Sequence, residues 1–344
     1  MGWGVDSVAE AARQEIFEAS DAGDAPLLAA DIGGTYARIG IVQFGGQTPH
    51  VLHFEKYRCA DYPNLSAIFE HFLSDSRVRV SNGAIAIAGY VLDDNVINNN
   101  LPWSVSLAQV RRALGLNDLQ VVNDFTAVAH ATNYVTERDV TPIAATSAPL
   151  EGPVLVVGPG TGLGAAVRIP TARSTVILST EAGQAALTAS TDLEIEILKY
   201  LLRDGSHVPT EHVLSGPGLA NLYTAVAALR GTKSNALTPR EIAETGVDGS
   251  DAIAVETLRV FCGWLGGIVG NFVLLYGAQG GVHLAGGILP QISKFLINSD
   301  FTKRFHDKGA MRKVLERVPV SLIEHGQLGV LGAARWYVEQ QQNQ

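Results

Sequence analysis

Two glycine-rich turns carry the residue types best suited to holding phosphate. The first, Asp31-Ile32-Gly33-Gly34-Thr35, places two glycines after an acidic residue that closes an apolar run. Glycine lets a backbone approach a ligand closely and present successive N–H groups as an anion nest. An aspartate beside such a nest can hold Mg²⁺, usually through water. The same residues also build ordinary hairpin turns, so the motif alone leaves both readings open. The second turn, Gly158-Pro159-Gly160-Thr161-Gly162-Leu163-Gly164, has four alternate glycines and marks backbone held close to something. No Gly-Lys-Ser/Thr follows it, which excludes a Walker A loop. Gly160, Gly162 and Ala165, with Glu181 about 20 residues further on, also fit the relaxed fingerprint of an NAD-dependent dehydrogenase. That fingerprint requires a crossover helix directly after the glycines. Val167 and Ile169 alternate like a strand and Pro170 ends the run, so the dehydrogenase is disfavoured.

The elements that position these turns can be read from the apolar pattern. Strands are expected over Leu27–Asp31, Ala37–Val42 and about 51–57, forming a β-meander around the first turn. A helix over about 63–75 is expected to open with Pro63 in its first turn, followed by a strand at Gly83–Ala88 and a hairpin near Asp93-Asp94. Ser106 is placed to cap a helix running to Leu114. A short strand, Gln120–Val122, delivers Asn123-Asp124 at its carboxyl end, and a helix over Phe125–His130 follows. Pro142–Pro153 reads as a loop. The opening order then restarts with strands Val154–Val157, Leu163–Ile169 and Ser174–Leu178, and the two Gly-Thr turns lie about 126 residues apart. Helices dominate from Asp192 to Tyr276, a strand at 281–285 leads into Gly286-Gly287, and a last strand, Val318–Ile323, precedes a helix over about 328–340. This repetition predicts an α/β protein of two lobes with a ligand cleft between them. The expected division is an extension over residues 1–26, a small domain over 27–134 and a large domain over 135–324. The helix near 325–344 is expected to pack back on the small domain. Residues 6–19 read as a short amphipathic helix.

Composition narrows the class. The chain has 344 residues, 47% hydrophobic and 17% charged, so it has ample surface to bury and is not intrinsically disordered. The two cysteines, Cys59 and Cys262, are too few for a disulfide scaffold and suit a reducing, cytoplasmic compartment. The net charge of −9 argues against a general affinity for nucleic acid or anionic membranes. Residues 260–293 lack Asp, Glu, Lys and Arg, but glycines interrupt the run repeatedly, so a buried helix over about 252–276 is expected rather than a membrane span. The N-terminus lacks the basic start and apolar core of a secretory signal.

The pairing of the turns is joined by further blocks in a fixed order. These are DIGGTYARIGIV (31–42), LPWSVS (101–106), VVNDFTAVAHA (121–131), GPGTGLG (158–164), TEAGQ (180–184), EHVLSGPGLANLY (211–223), GGVHLAGGILPQI (280–292) and GQLGVLGAA (326–334). In these blocks the chain resembles the glucokinases of the bacterial hexokinase type, within the actin-like ATPase superfamily, from about Leu27 to Tyr337. The resemblance implies ATP with Mg²⁺ as phosphoryl donor, glucose or a related hexose as acceptor, and a homodimer. It implies that Asn123 binds a sugar hydroxyl and that Asp124 is the general base. A sugar hydroxyl is a poor nucleophile, and a carboxylate within hydrogen-bond reach can take its proton as the γ-phosphoryl group transfers. The alternative for Asp124 is an ordinary helix N-cap. Glu181 and Glu211 match glutamates that accept from sugar hydroxyls. Thr35, Thr161 and Gly162 match the phosphate turns together with Gly33, Gly34 and Gly160, and Asp31 is the implied water-mediated Mg²⁺ anchor. Gly216 and Gly286-Gly287 match turns near the adenosine end. Trp103 falls in a sugar-facing block, although a packed core tryptophan fits equally well.

Three positions depart from the family pattern. Gln184 stands where the family has a sugar-contacting histidine; it can donate a hydrogen bond but cannot become cationic. Tyr36 replaces an asparagine after the first turn, and Gly89-Tyr90 replaces a Pro-containing turn. Gln184, Tyr36 and the N-terminal extension motivate the competing reading, a catalytically weak sugar-binding regulator on the same scaffold.

Overall fold

The computed structural model describes residues 25–97, 101–172 and 175–342; the helix expected over 6–19 lies outside them. The chain opens with β1 (Leu27–Ile32), β2 (Tyr36–Gly45), β3 (Thr48–Arg58) and α1 (Leu65–Ser76). It continues through β4 (Asn82–Ile87), β5 (Tyr90–Leu92), β6 (Asn95–Ile97), β7 (Val105–Ser106), α2 (Leu107–Leu114), β8 (Asp118–Asn123) and α3 (Asp124–Ala131). The second half holds β9 (Val140–Ala144), β10 (Val154–Pro159), β11 (Leu163–Pro170), β12 (Thr175–Thr180), α4 (Asp192–Leu201), α5 (Gly216–Leu229), α6 (Pro239–Asp248) and α7 (Ala252–Tyr276). It closes with β13 (Gly281–Leu284), α8 (Ser293–Ile297), α9 (Phe301–His306), α10 (Arg312–Leu315), β14 (Val320–Ile323) and α11 (Leu328–Gln342).

The internal repeat is visible in the strand pairing. The first sheet has the order β3-β2-β1-β4-β8 and the second β12-β11-β10-β13-β14-β9. In each, the first two pairings are antiparallel and the next two parallel. A single pattern therefore sets both glycine turns at the same place, between the first and second strands of each meander.

On the first sheet, Ile68, Phe69 and Phe72 of α1 cover one face against Leu28, Ile39 and Ile85. Helices α3 and α11 cover the other, with Ala127 and Ala131 meeting Ala29, Ala84, Val330 and Ala334. Small side chains at that junction let the helices approach closely: a Cβ on Gly332 would land on the carbonyl of Ala127. Helix α3 also touches the second sheet, where Ala129 packs on Val156 and Ala166. It thus lies between the two sheets. Helix α7 is long and apolar enough to cross a membrane, but Phe261, Trp264, Leu265 and Val269 are buried in the core against the second sheet. Its glycines serve packing, since a Cβ on Gly266 would strike the backbone of Phe301.

Two local expectations are corrected, and a third, the hairpin, is present as expected but extended. Pro63 does not open α1; Asn64 caps it by accepting a hydrogen bond from the Ala67 N–H at 2.9 Å, so Pro63 lies just before the helix. Residues 142–144 are strand rather than loop. Edge strand β9 pairs antiparallel with β14, and an edge tolerates Pro142, which has no N–H to donate. The hairpin at Asp93-Asp94 belongs to a three-stranded sheet, β5-β6-β7, whose two-residue third strand is too short to leave a periodic signal.

Candidate active site

The carboxyl end of β8 hands over directly to α3, and two adjacent side chains divide that junction. Asn123 is the N-cap: its Oδ1 accepts from the Thr126 N–H at 3.0 Å and from the Thr126 hydroxyl at 3.3 Å. Asp124 is therefore not spent on the cap. Its Oδ1 accepts from the Phe125 N–H at 2.9 Å. Burial, followed by the negative charge of Asp31 and more weakly that of Glu181, pushes the Asp124 carboxyl up to about 6, against the opposing pull of backbone N–H donors. Thr126 also shares a 2.6 Å hydrogen bond with Ser179 on β12, tying the start of α3 to the second sheet.

Asp31 ends its strand beside this pair. Its Oδ2 meets Nη1 of Arg38 at 3.2 Å. Burial raises its proton affinity more than the guanidinium lowers it. From the other side, α11 presses in: a Cβ on Gly329 would stand 2.6 Å from the Asp31 Cγ. Among the described residues no group of three or more His, Cys, Asp or Glu side chains forms a metal cage. An ion held chiefly by phosphates and water would need one neighbouring carboxylate, which Asp31 could supply through water.

The first turn is closed by Gly33 N–H donating to the Tyr36 carbonyl at 3.0 Å and is tied to the end of β3 by Cys59 N–H donating to the Thr35 carbonyl at 3.0 Å. Gly34 and Thr35 line a cleft of about 300 Å³ with Arg58, Ala60, Leu101 and Pro102. Tyr36 lies beneath Lys56, whose Nζ is 4.0 Å from the ring centre.

The second turn is held from behind. Gly160 N–H donates to the Gly162 carbonyl at 2.8 Å, and the first N–H of α5, from Gly216, donates to the Gly160 carbonyl at 2.8 Å. Gly286 adopts φ +97°, and a side chain there would strike the Pro159 carbonyl. Gly287 has open space around it. Gly286 thus sits against the second turn.

Glu211 backs the same turn. Its Oε2 accepts from the Leu163 N–H at 3.1 Å, and its Oε1 accepts from Nε2 of Gln184 at 2.7 Å. A Cβ on Gly162 would stand 2.5 Å from Oε2. Glu181 directly precedes the short turn that carries Gln184. Asp31, Asp124 and Glu181 therefore form one electrostatic cluster, while Gln184 and Glu211 form a hydrogen-bonded pair beside Thr161 and Gly162. Trp103 is the packed tryptophan: its Nε1 donates to the Tyr62 carbonyl at 3.2 Å and its ring packs on the α1 core.

Sequence reasoning missed Arg38 as the partner of Asp31, Ser179 as the tie on α3, and Arg58 on the cleft wall. Arg38 carries a signal in retrospect: it is directly opposite Asp31 in the β1–β2 register.

A glucokinase family model matches residues 28–340. A glucokinase-like protein of Xylella fastidiosa is 46% identical, over 92% of this chain and 96% of its own length. The crystal structure of a glucokinase from an Antarctic psychrotroph is 36% identical with a TM-score of 0.78, covering 90% of this chain and 98% of that one. A ROK family glucokinase from Streptomyces griseus, in complex with glucose and AMPPNP, shares the fold at 20% identity and a TM-score of 0.62, with 90% and 98% covered.

Proposed function

Since the chain belongs to the glucokinase family, whose fold is the two-lobed actin-like ATPase fold, we propose that it transfers the γ-phosphoryl group of ATP to the 6-hydroxyl of glucose. The observation that carries this reading is the placement of Asp124. It heads the helix shared by both sheets, is relieved of capping by Asn123, and is poised to titrate near 6. At neutral pH such a carboxylate is mostly ionised yet basic enough to accept a hydroxyl proton.

Asn123 has its Oδ1 committed to the cap, so its amide Nδ2 is the group left to donate to a sugar hydroxyl. Glu181 and Glu211 accept from other hydroxyls. A carboxylate oxygen has more than one lone pair, so the Gln184 and Leu163 contacts leave Glu211 able to accept again. Such a site rejects analogues lacking a hydroxyl, because its polar groups would stay unpaired. Gly33 and Gly160 close the two turns through their own N–H bonds, the backbone of Gly34, Thr35, Thr161 and Gly162 holds the nucleotide phosphates, and Gly286-Gly287 lie toward the adenosine. Mg²⁺, when bound, neutralises phosphate charge, and Asp31 orients its water shell. Closure of the lobes about α3 excludes water, which would otherwise compete as acceptor.

The test is ADP release measured across a panel of hexoses, with sugar binding followed separately by calorimetry. Glucose-dependent release supports the kinase. Sugar binding without ADP release would instead support a sugar-binding regulator.

A further inference from the structure

The site carries four carboxylates, Asp31, Asp124, Glu181 and Glu211, where the proposed reaction places a phosphoryl group that is itself anionic. Arg38 is committed to Asp31 at 3.2 Å, and Lys56 is stacked on Tyr36. Arg58 is placed differently. It is the last residue of β3, directly opposite Tyr36 in register and so beside the first glycine turn. The 3.0 Å bond from Cys59 N–H to the Thr35 carbonyl fixes its backbone there.

Arg58 lines the cleft of about 300 Å³ together with Gly34, Thr35, Ala60, Leu101 and Pro102. Gly34 and Thr35 belong to the phosphate turn, and Leu101 and Pro102 to the loop that precedes Trp103. Among the described residues Arg58 forms an ion pair with Asp61, at 3.9 Å between groups 63% and 61% exposed. A pair that long and that wet holds a guanidinium weakly. Phosphate oxygens accept from the guanidinium fork in bidentate fashion and would displace Asp61 readily.

We propose that Arg58 is the cationic contact for the phosphoryl group in transit and for the sugar phosphate it becomes; this rests on the kinase reading above. As the sugar O6–P bond forms, the bond from phosphorus to the ADP oxygen breaks and the hydroxyl proton passes to Asp124. Charge on the equatorial oxygens then sits against Arg58. After transfer the group stays on the sugar, so the contact persists in the product and is lacking in glucose itself.

That asymmetry supplies the test. Arg58→Gln and Arg58→Lys in the full chain are titrated calorimetrically with glucose and with glucose 6-phosphate, and ADP release is followed in parallel. The glutamine variant is expected to bind glucose within about twofold of the wild type, to lose at least about tenfold in glucose 6-phosphate affinity, and to lose about a hundredfold in kcat. The lysine variant keeps charge without the fork and should fall between. If the glutamine variant fails to fold, the lysine variant carries the test through its product affinity. Unchanged glucose 6-phosphate affinity in a folded variant overturns the proposal, as does a wild type that binds none. A wild type that binds glucose 6-phosphate through Arg58 but releases no ADP would fail the kinase reading and leave the Arg58 contact standing.

Discussion

Asn123 and Asp124 are neighbours with separate tasks: the first caps α3 through Thr126 N–H at 3.0 Å, and the second keeps a carboxylate at the helix start without serving as the cap. An N-terminal helix dipole favours a negative charge there, but burial and the carboxylates of Asp31 and Glu181 outweigh it, leaving the group near 6. The pair can be taken apart experimentally because capping uses Oδ1 of Asn123, whereas the proposed sugar contact uses its amide Nδ2.

Asn123→Ser retains a capping oxygen and removes the amide. Its unfolding free energy in urea should stay within about 0.5 kcal/mol of wild type, whereas Asn123→Ala should lose about 1 kcal/mol. Both should bind glucose more weakly, by about tenfold for a hydrogen bond to the sugar. Equal glucose affinity in Asn123→Ser and wild type would remove the sugar-binding role from the amide.

The raised proton affinity of Asp124 has two consequences of opposite sign. Activity needs the ionised form, so kcat/KM should fall on the acid side with a midpoint near 6. Stability runs the other way: a carboxyl with a raised folded-state pKa stabilises the fold below about 4, and this contribution is lost as pH rises through 6. Asp124→Asn should therefore be more stable than wild type at pH 7.5 by on the order of 1–2 kcal/mol, with the advantage gone near pH 4. A variant no more stable at pH 7.5 would mean the carboxylate is not strained by its surroundings.

Gln184 anchors Glu211 at 2.7 Å, and Gln184→Ala should leave that carboxylate held by the Leu163 N–H at 3.1 Å without its second anchor. The expected result is a rise of about three- to tenfold in the KM for glucose with a smaller change in kcat. A kcat loss with unchanged KM would point to a role in the chemistry instead.

Gly164 marks where the lobes meet through α3, because a Cβ there would fall within the Phe125 ring. Gly164→Ala should destabilise the protein by about 2–4 kcal/mol and, by displacing Phe125, disturb the adjacent Asp124. Thermal unfolding and ADP release together check this. A stable variant with full activity would contradict the close packing.

The fold was legible where a pattern repeats or a turn needs glycine. The two meanders follow from apolar alternation around Gly33-Gly34 and Gly158–Gly164, and the buried character of α7 from glycines spaced through an uncharged run. Pairings across long sequence distances were not legible. Nothing local links Gln184 to Glu211, which meet through two turns 27 residues apart, or Thr126 to Ser179, whose bond depends on how α3 docks on the second sheet. Edge strand β9 was hidden by Pro142, a residue that only an unpaired side of the sheet accommodates. Arg58 lies one residue beyond the strand expected over about 51–57, and only the cleft shows what it lines.

In the proposed reaction Asp124 takes the proton of the acceptor hydroxyl. The most direct test of this role is glucose-dependent ADP release by Asp124→Asn, with folding and glucose affinity measured on the same sample. The variant should be folded, bind glucose within about an order of magnitude of wild type, and turn over at least about a hundredfold more slowly. Release at the wild-type rate by a folded Asp124→Asn protein would contradict that role.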